Sequence, residues 1–437
     1  MKRRTSRRDF MKNTALTGVG VWLAGSSVQA QEKSPNSKIQ FASIGVGGKG
    51  SSDCADAASS GDMVAICDID DNTLGKAADR YTGAKKYNDF RKMFDEMGDK
   101  IDAITVSTPD HTHAVAAMRG LLAKKAVFCQ KPLTHSVHQA RVLRETAAKM
   151  GVATQMGNQG TANNALRSAT KVVHSGTIGA VKEAHIWTNR PIWPQGIGRP
   201  KEEQPVPANI KWDLWLGPAA DRPYNSAYLP FKWRGWWDFG TGALGDMACH
   251  TFNMPFMALK LGYPTSIVAE TGEINPDSFP KSSKITFEFP ERADMPPVKV
   301  VWYDGGNKPA AELLQGEKLS GSGALLVGEK GTLMSSDDYC GSYKILGKDF
   351  ADFKQPEPDV KSPGHFKEFA EAIKGGPKAM SNFDYAGFLT EIILLGNVAM
   401  RVGKKIEWDG PNMKATNCPE ADQYVKGEYR KGWELPV

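Results

Sequence analysis

Two groups of residues in this 437-residue chain have the types and spacing to do chemistry. Asp246, His250 and Asn253 fall at i, i+4 and i+7 within Gly240-Thr-Gly-Ala-Leu-Gly-Asp-Met-Ala-Cys-His-Thr-Phe-Asn253. On a helix they share one stripe, while Met247, Phe252, Phe256 and Leu259 pack elsewhere. A polar stripe on an apolar helix faces solvent or a polar cleft. An imidazole there, titrating near working pH, suits a base that takes a hydroxyl proton as hydride leaves the carbon. The alternative is a structural histidine held by Asp246. The second group is Gly45-Val-Gly47-Gly-Lys-Gly50, which follows the apolar stretch 39–44. GxGxxG spacing provides a tight turn, close backbone approach to a pyrophosphate and a helix N-terminus for its charge. A second apolar stretch, 63–67, ends at Asp68, about 20 residues on, where a carboxylate accepts hydrogen bonds from a ribose diol. No Arg follows Asp68, so a 2′-phosphate would meet repulsion and NAD is favoured over NADP. The alternative is an ordinary Gly-rich turn with a capping Asp.

The elements that must position these residues alternate in type. Helices are predicted over 72–81 and 89–98, a buried strand over 103–107, a helix over 114–123 and a strand over 126–129. This alternation implies right-handed crossovers in a doubly wound parallel sheet. Thr108-Pro109-Asp110-His111-Thr112-His113 then falls at a strand's carboxyl end, where ligands sit in such sheets, and either histidine could instead cap the next helix. Gln130-Lys131-Pro132 ends the following strand. Proline holds the preceding lysine extended, so Lys131 can project over a bound nicotinamide, the alternative being a surface lysine before a turn.

In order and spacing, the glycine loop, the Thr108-Pro109-Asp110-x-x-His113 turn, the Lys131-Pro132 pair and the Asp246/His250 helix resemble the glucose-fructose oxidoreductase and inositol 2-dehydrogenase (Gfo/Idh/MocA) family. The resemblance runs from Ile39 to about Gly403. It implies that Lys131 polarises or holds a substrate hydroxyl, that Asp246 binds or orients the substrate and that His250 is the general acid/base. It also implies cofactor contacts from Gly45, Gly47, Gly50, Asp68, Thr108, Pro109, His113, Gln130 and Lys131. Two positions depart from the family pattern: Gln130 stands where Glu is usual, and Asn253 where many members have Asp.

A strand over 152–156 closes the sheet, and Asn158 opens a second domain with a helix over 164–174. Strands over 184–189, 284–289, 298–303 and 324–327 alternate as half-buried antiparallel strands do. Helices over 365–374 and 385–401 complete an α+β domain with a mainly antiparallel open sheet. Seven of the 11 tryptophans lie between Trp187 and Trp237. Their flat faces suit sugars, with Trp187, Trp236, Asn158 and Asn253 as candidate substrate contacts, or else they pack the long loop or an oligomer interface. Tyr224, Tyr228 and Arg234 are further cleft candidates.

Composition, 41% apolar and 24% charged, fits a soluble globular protein of two domains. The net charge of +6 is concentrated at one end. Residues 1–30 hold six basic side chains and one acid, leaving 49 basic against 48 acidic residues, so nothing calls for nucleic acid. Ser6-Arg7-Arg8-Asp9-Phe10-Met11-Lys12, a short apolar stretch and Val28-Gln29-Ala30 resemble a twin-arginine export signal. The expected organisation is a signal over 1–30, a linker over 31–37, a Rossmann domain over 38–156 and a substrate domain over 157–437. The six cysteines lack metal-site spacing, so free buried thiols and no metal are expected. The product should be periplasmic or otherwise exported by the twin-arginine route, free of the membrane after cleavage, and a homo-oligomer. Export implies tightly held NAD, recycled in place during oxidation of a sugar, polyol or glycoside hydroxyl. The alternatives are glycosidic cleavage through a transient keto-sugar, and a non-catalytic sugar or nucleotide sensor. Intact-mass measurement of the exported protein should find Gln31 at its N-terminus, and retention of residues 1–30 would exclude the signal.

Overall fold

The computed structural model describes residues 38–436, so the export signal and linker read from residues 1–37 lie outside the described residues. The first domain runs β1 (Ile39–Ile44), α1 (Lys49–Ser60), β2 (Gly61–Cys67), α2 (Asp71–Arg80), β3 (Lys85–Tyr87), α3 (Phe90–Met97), β4 (Ala103–Val106), α4 (Asp110–Leu122), β5 (Ala126–Cys129), α5 (Val137–Met150) and β6 (Thr154–Met156). All six strands are parallel, in the order β3-β2-β1-β4-β5-β6. β4 and β5 are buried throughout, which is why they read as unbroken apolar runs. Helix starts are set by local side chains. Asp70 accepts from the Asn72 amide, Asp89 from the Arg91 amide, and Ser136 forms a capping box with Gln139. α4 begins at Asp110 rather than near Ala114, so His111 and His113 lie in its buried first turn.

The second domain runs α6 (Asn164–His174), β7 (Val181–Trp187), α7 (Trp212–Leu216), α8 (Gly242–Thr251), α9 (Asn253–Ala258), β8 (Ser266–Thr271), β9 (Ser283–Phe289), β10 (Val298–Tyr303), β11 (Gly323–Gly328), β12 (Thr332–Ser335), β13 (Lys344–Leu346), α10 (His365–Ile373), α11 (Phe383–Val402), β14 (Ile406–Asp409), β15 (Lys414–Ala415) and α12 (Asp422–Lys426). Its nine strands follow the order β13-β12-β11-β7-β10-β9-β8-β14-β15. Every pairing is antiparallel except that of β7 with β10. β9 alternates buried and more exposed residues, as a sheet with one covered face requires.

α11 is long and apolar enough by composition to cross a membrane. Most of it is nevertheless buried inside the protein, where it packs along α5 of the first domain. At its centre the fully buried Glu391 receives Arg141 Nε from α5 at 2.9 Å, and Arg141 Nη2 also donates to the Gly410 carbonyl at 2.7 Å. Truncating one partner of a buried pair strands the other charge. Glu391→Ala should therefore lose about 3–5 kcal/mol of stability, read as a lowered urea midpoint, whereas substitution of the exposed Asp359 should leave the midpoint nearly unchanged.

Candidate active site

The carboxyl ends of β1, β2, β4 and β5 open onto one cleft of about 560 Å³. Gly45 turns the chain out of β1 at φ +79°, and a Cβ there would lie 2.6 Å from the Ser107 carbonyl oxygen; a Cβ on Gly50 would lie 2.0 Å from that of Gly45. Only glycine closes this turn. No side chain caps α1, so its N-terminal end is available to an anion. Across the cleft, Asp68 Oδ2 accepts from the Val46 amide at 2.9 Å and Oδ1 from the Asp70 amide at 3.0 Å. Burial raises the Asp68 pKa against these bonds. Each carboxylate oxygen keeps a further acceptor position for a ribose hydroxyl. An uncapped helix behind a side-chain-free turn, with a carboxylate opposite, fits a dinucleotide.

Thr108, Pro109, Gln130 and Lys131 line the same cleft. Lys131 crosses to the second domain, where its Nζ lies 2.7 Å from Asp246 Oδ1 and donates to the Asp246 carbonyl at 2.9 Å. Arg234 Nε approaches the same Oδ1 at 3.4 Å. Burial pushes the Asp246 carboxyl upward, but the charges of Lys131 and Arg234 outweigh it and hold the pKa below the usual range. His250, one turn along α8, is buried, with Nδ1 lacking any hydrogen-bond partner and the Tyr339 ring edge-on at 4.8 Å. Burial first, and then the Lys131 charge, hold its pKa well below the usual value. The imidazole is therefore held in its neutral form, rather than titrating near working pH as its type alone suggests.

Other candidates lie elsewhere. Both His113 ring nitrogens face backbone carbonyls, Pro132 at 2.7 Å and Thr108 at 2.8 Å, and burial lowers its pKa to about 4. It staples the two cofactor-facing turns rather than lining the cleft. His111 is placed likewise, against the Trp215 and Phe239 carbonyls. Asn253 is the first residue of α9, after the helix is interrupted at Phe252. Pro255 lacks an amide hydrogen and its ring clashes with the carbonyl four residues back. Asn253 is instead fully buried, donating to Thr161 Oγ1 at 2.8 Å and accepting from Tyr385 Oη.

Asn158 is also buried, taking Ser381 Oγ and donating to the Cys249 carbonyl at 3.4 Å. Trp187 and Trp236 are interior, with indole N–H groups satisfied by the Ser320 and Ala227 carbonyls. Trp236 shares a core with Trp215, Tyr228, Trp233 and Phe239, so much of the aromatic belt packs the long loop. Among the residues that reach the cleft from this region are Leu214, Trp215, Phe231, Trp233 and Arg234, joined by Trp433 from the C-terminal end.

Two domains meeting at a dinucleotide cleft, with a cleft-lining lysine paired to an aspartate and a buried histidine one turn further along the aspartate's helix, define a nucleotide-dependent oxidoreductase architecture. Residues 39–158 match the family model described as "Oxidoreductase family, NAD-binding Rossmann fold", and residues 162–435 match "Oxidoreductase family, C-terminal alpha/beta domain". The chain belongs to this family, and its first domain is the NAD-binding one. An inositol 2-dehydrogenase of Rubrobacter xylanophilus is 33% identical over 89 residues, 20% of this chain and 25% of that protein. That of Salmonella typhimurium is 30% identical over 126 residues, 28% of this chain and 37% of that protein. The matches thus span roughly a quarter to a third of these relatives' length. Among solved structures, the WlbA dehydrogenase of Bordetella pertussis, in complex with NADH and UDP-GlcNAcA, superposes with a TM-score of 0.60 at 18% identity, covering 85% of this chain and 99% of that one. Levoglucosan dehydrogenase, in complex with NADH and levoglucosan, gives 0.60 at 15% identity, with 84% and 99% covered. These likenesses share the fold.

Gln130 donates through Nε2 to Asp53 Oδ2 at 2.9 Å, an oxygen that also accepts from Ser107 Oγ at 2.7 Å. Gln130→Glu would set a second carboxylate against Asp53, raising a folded-state pKa above its unfolded value. The cost is absent at low pH and grows as pH rises through the carboxylate range. The variant should match the parent's Tm near about pH 4 and fall progressively below it toward about pH 7.

Proposed function

We propose that this protein is an exported NAD-dependent oxidoreductase acting on a CH–OH group of a sugar, polyol or glycoside, with tightly held cofactor recycled in place. The observation that carries this reading is the pairing of Lys131, which lines the dinucleotide cleft, with Asp246, and the buried His250 one turn along the same helix from Asp246. Relatives and fold neighbours whose names specify inositol, levoglucosan and a nucleotide sugar point to the same substrate class. The periplasmic location rests on the twin-arginine pattern, and recycling follows from the scarcity of free NAD outside the cytoplasm.

NAD, when bound, supplies the hydride acceptor. Lys131 spends two of its three N–H donors on Asp246 and keeps one for the substrate oxygen. Asp246, held ionised, fixes that ammonium in place and accepts from a neighbouring hydroxyl. His250 takes the carbinol proton on Nε2, since Nδ1 is enclosed. Asp68 and Asp70 at the ribose end disfavour a 2′-phosphate.

Mature protein should release NAD(H) on denaturation and turn over members of a sugar, polyol and glycoside panel. Product without accumulation of NADH supports recycling. Stoichiometric NADH from added NAD overturns recycling, and no turnover across the panel favours the sensor. His250→Asn should lower turnover by roughly 10²- to 10⁴-fold while retaining bound NAD. Equal loss of both would make the histidine structural.

A further inference from the structure

We infer that the second domain locks the adenosine end of the cleft shut, and that Trp433, carried on the C-terminal tail, is the closing wall that retains the dinucleotide. This rests on the NAD-binding reading of that cleft.

Two segments make the closure. The first, residues 207–216, lies along the β2–α2 turn that follows Asp68. Asn209 and Lys211 pair with it through backbone bonds of 2.9 Å, from the Asp71 amide to the Asn209 carbonyl and from the Lys211 amide to the Ile69 carbonyl. Their side chains then engage the turn's acids, Asn209 Nδ2 donating to Asp70 Oδ1 at 2.6 Å and Lys211 Nζ to Asp71 Oδ2 at 2.8 Å. Within this strap, Leu214 lines the cleft.

The second segment is the tail. Arg430 fastens it to the end of the strap. Its amide donates to the Pro218 carbonyl at 2.9 Å, Nε to the Gly217 carbonyl at 2.8 Å and Nη2 to the Asp213 carbonyl at 2.7 Å. Three residues on, Trp433 returns to the first domain, 7% exposed, with the Arg91 guanidinium 4.0 Å over its ring and Phe90 edge-on at 6.0 Å. Trp433, Leu214 and Phe90 all line the cleft. A continuous ring thus runs from the β2–α2 turn through the strap, Arg430 and Trp433 to α3, fastened at each step by hydrogen bonds or aromatic contact. A ligand whose adenosine lies inside cannot leave without opening one of these joints, so the ring acts on the release rate.

The test follows NADH fluorescence after mixing NADH-loaded mature protein with excess NAD. Trp433→Ala and Arg430→Gln should each speed release at least about tenfold, as expected when a packed aromatic wall or its anchor is lost, while Trp433→Phe stays near the parent rate. NADH should also slow tryptic cleavage after Arg430 and Lys431 in the parent protein. Arg430→Gln, whose acidic partners are at the surface, keeps the test open if the tryptophan variant does not fold. Unchanged release in both variants, with the parent still binding NADH, overturns the closure and leaves the dinucleotide reading standing. Failure of the parent to bind NADH overturns both.

Discussion

Asp246 is the point at which the two domains share a charge. It is carried on α8 of the second domain, yet its nearest cation, Lys131, stands at the carboxyl end of β5 in the first. A carboxylate this enclosed would ordinarily hold its proton, and it remains ionised only because Lys131 and Arg234 both face one of its oxygens. The same ammonium charge reaches His250 and helps keep that ring neutral. One ion pair therefore sets the position of the lysine and the charge of the aspartate, and its ammonium adds to the burial that holds the histidine neutral. Loss of either partner would leave the other charge enclosed without its nearest counterion.

That pair keeps its geometry because the start of α8 is fixed from several directions. Thr241 donates through Oγ1 to Asp110 Oδ2 at 2.7 Å, tying α8 to the first turn of α4. Its carbonyl accepts from Asn397 on α11 at 3.0 Å, and its side chain lies over Gly245, where a Cβ would come within 2.2 Å. Asp110 is buried deeply enough for its carboxyl pKa to rise to about 6, a cost tolerated in exchange for a fixed joint between the cofactor-facing turn and the catalytic helix. Arg141 and Glu391 make a second buried polar joint behind it. A site braced in this way meets its substrate with the reacting groups already oriented, the condition under which proximity contributes most to rate.

The parts of this arrangement legible in the sequence are those governed by short-range rules. The glycine loop, Asp68 and the alternation of strand and helix follow from turn geometry and apolar periodicity, and α6, β5 and β10 fall at the residues their patterns indicate. β3, β13, β14 and β15 are two to four residues long and too short to carry a period. Pro255 marks the break between α8 and α9, but an i, i+4, i+7 count does not tell that Asn253 is taken up by Thr161 and Tyr385 in the interior. Trp433 and Phe90 are distant in the chain, and no local rule brings them together. The tryptophan belt shows the opposite limit: its composition suits sugar faces and loop packing equally, and only the buried core around Trp236 and Phe239 separates them.

Gln130 shows how a departure from a family pattern is resolved by its neighbours rather than by its own chemistry. Taken alone, glutamine in place of glutamate removes a charge beside the cofactor. In the fold a charge is already there. Asp53, 1% exposed on α1, receives Gln130 Nε2, Ser107 Oγ and the Lys49 ammonium. Three donors on one enclosed carboxylate form a satisfied network, and a carboxylate at position 130 would replace a donor with a like charge. The amide is therefore the side chain that this helix requires of β5. The charge is kept beside Gln130, but it is supplied from α1.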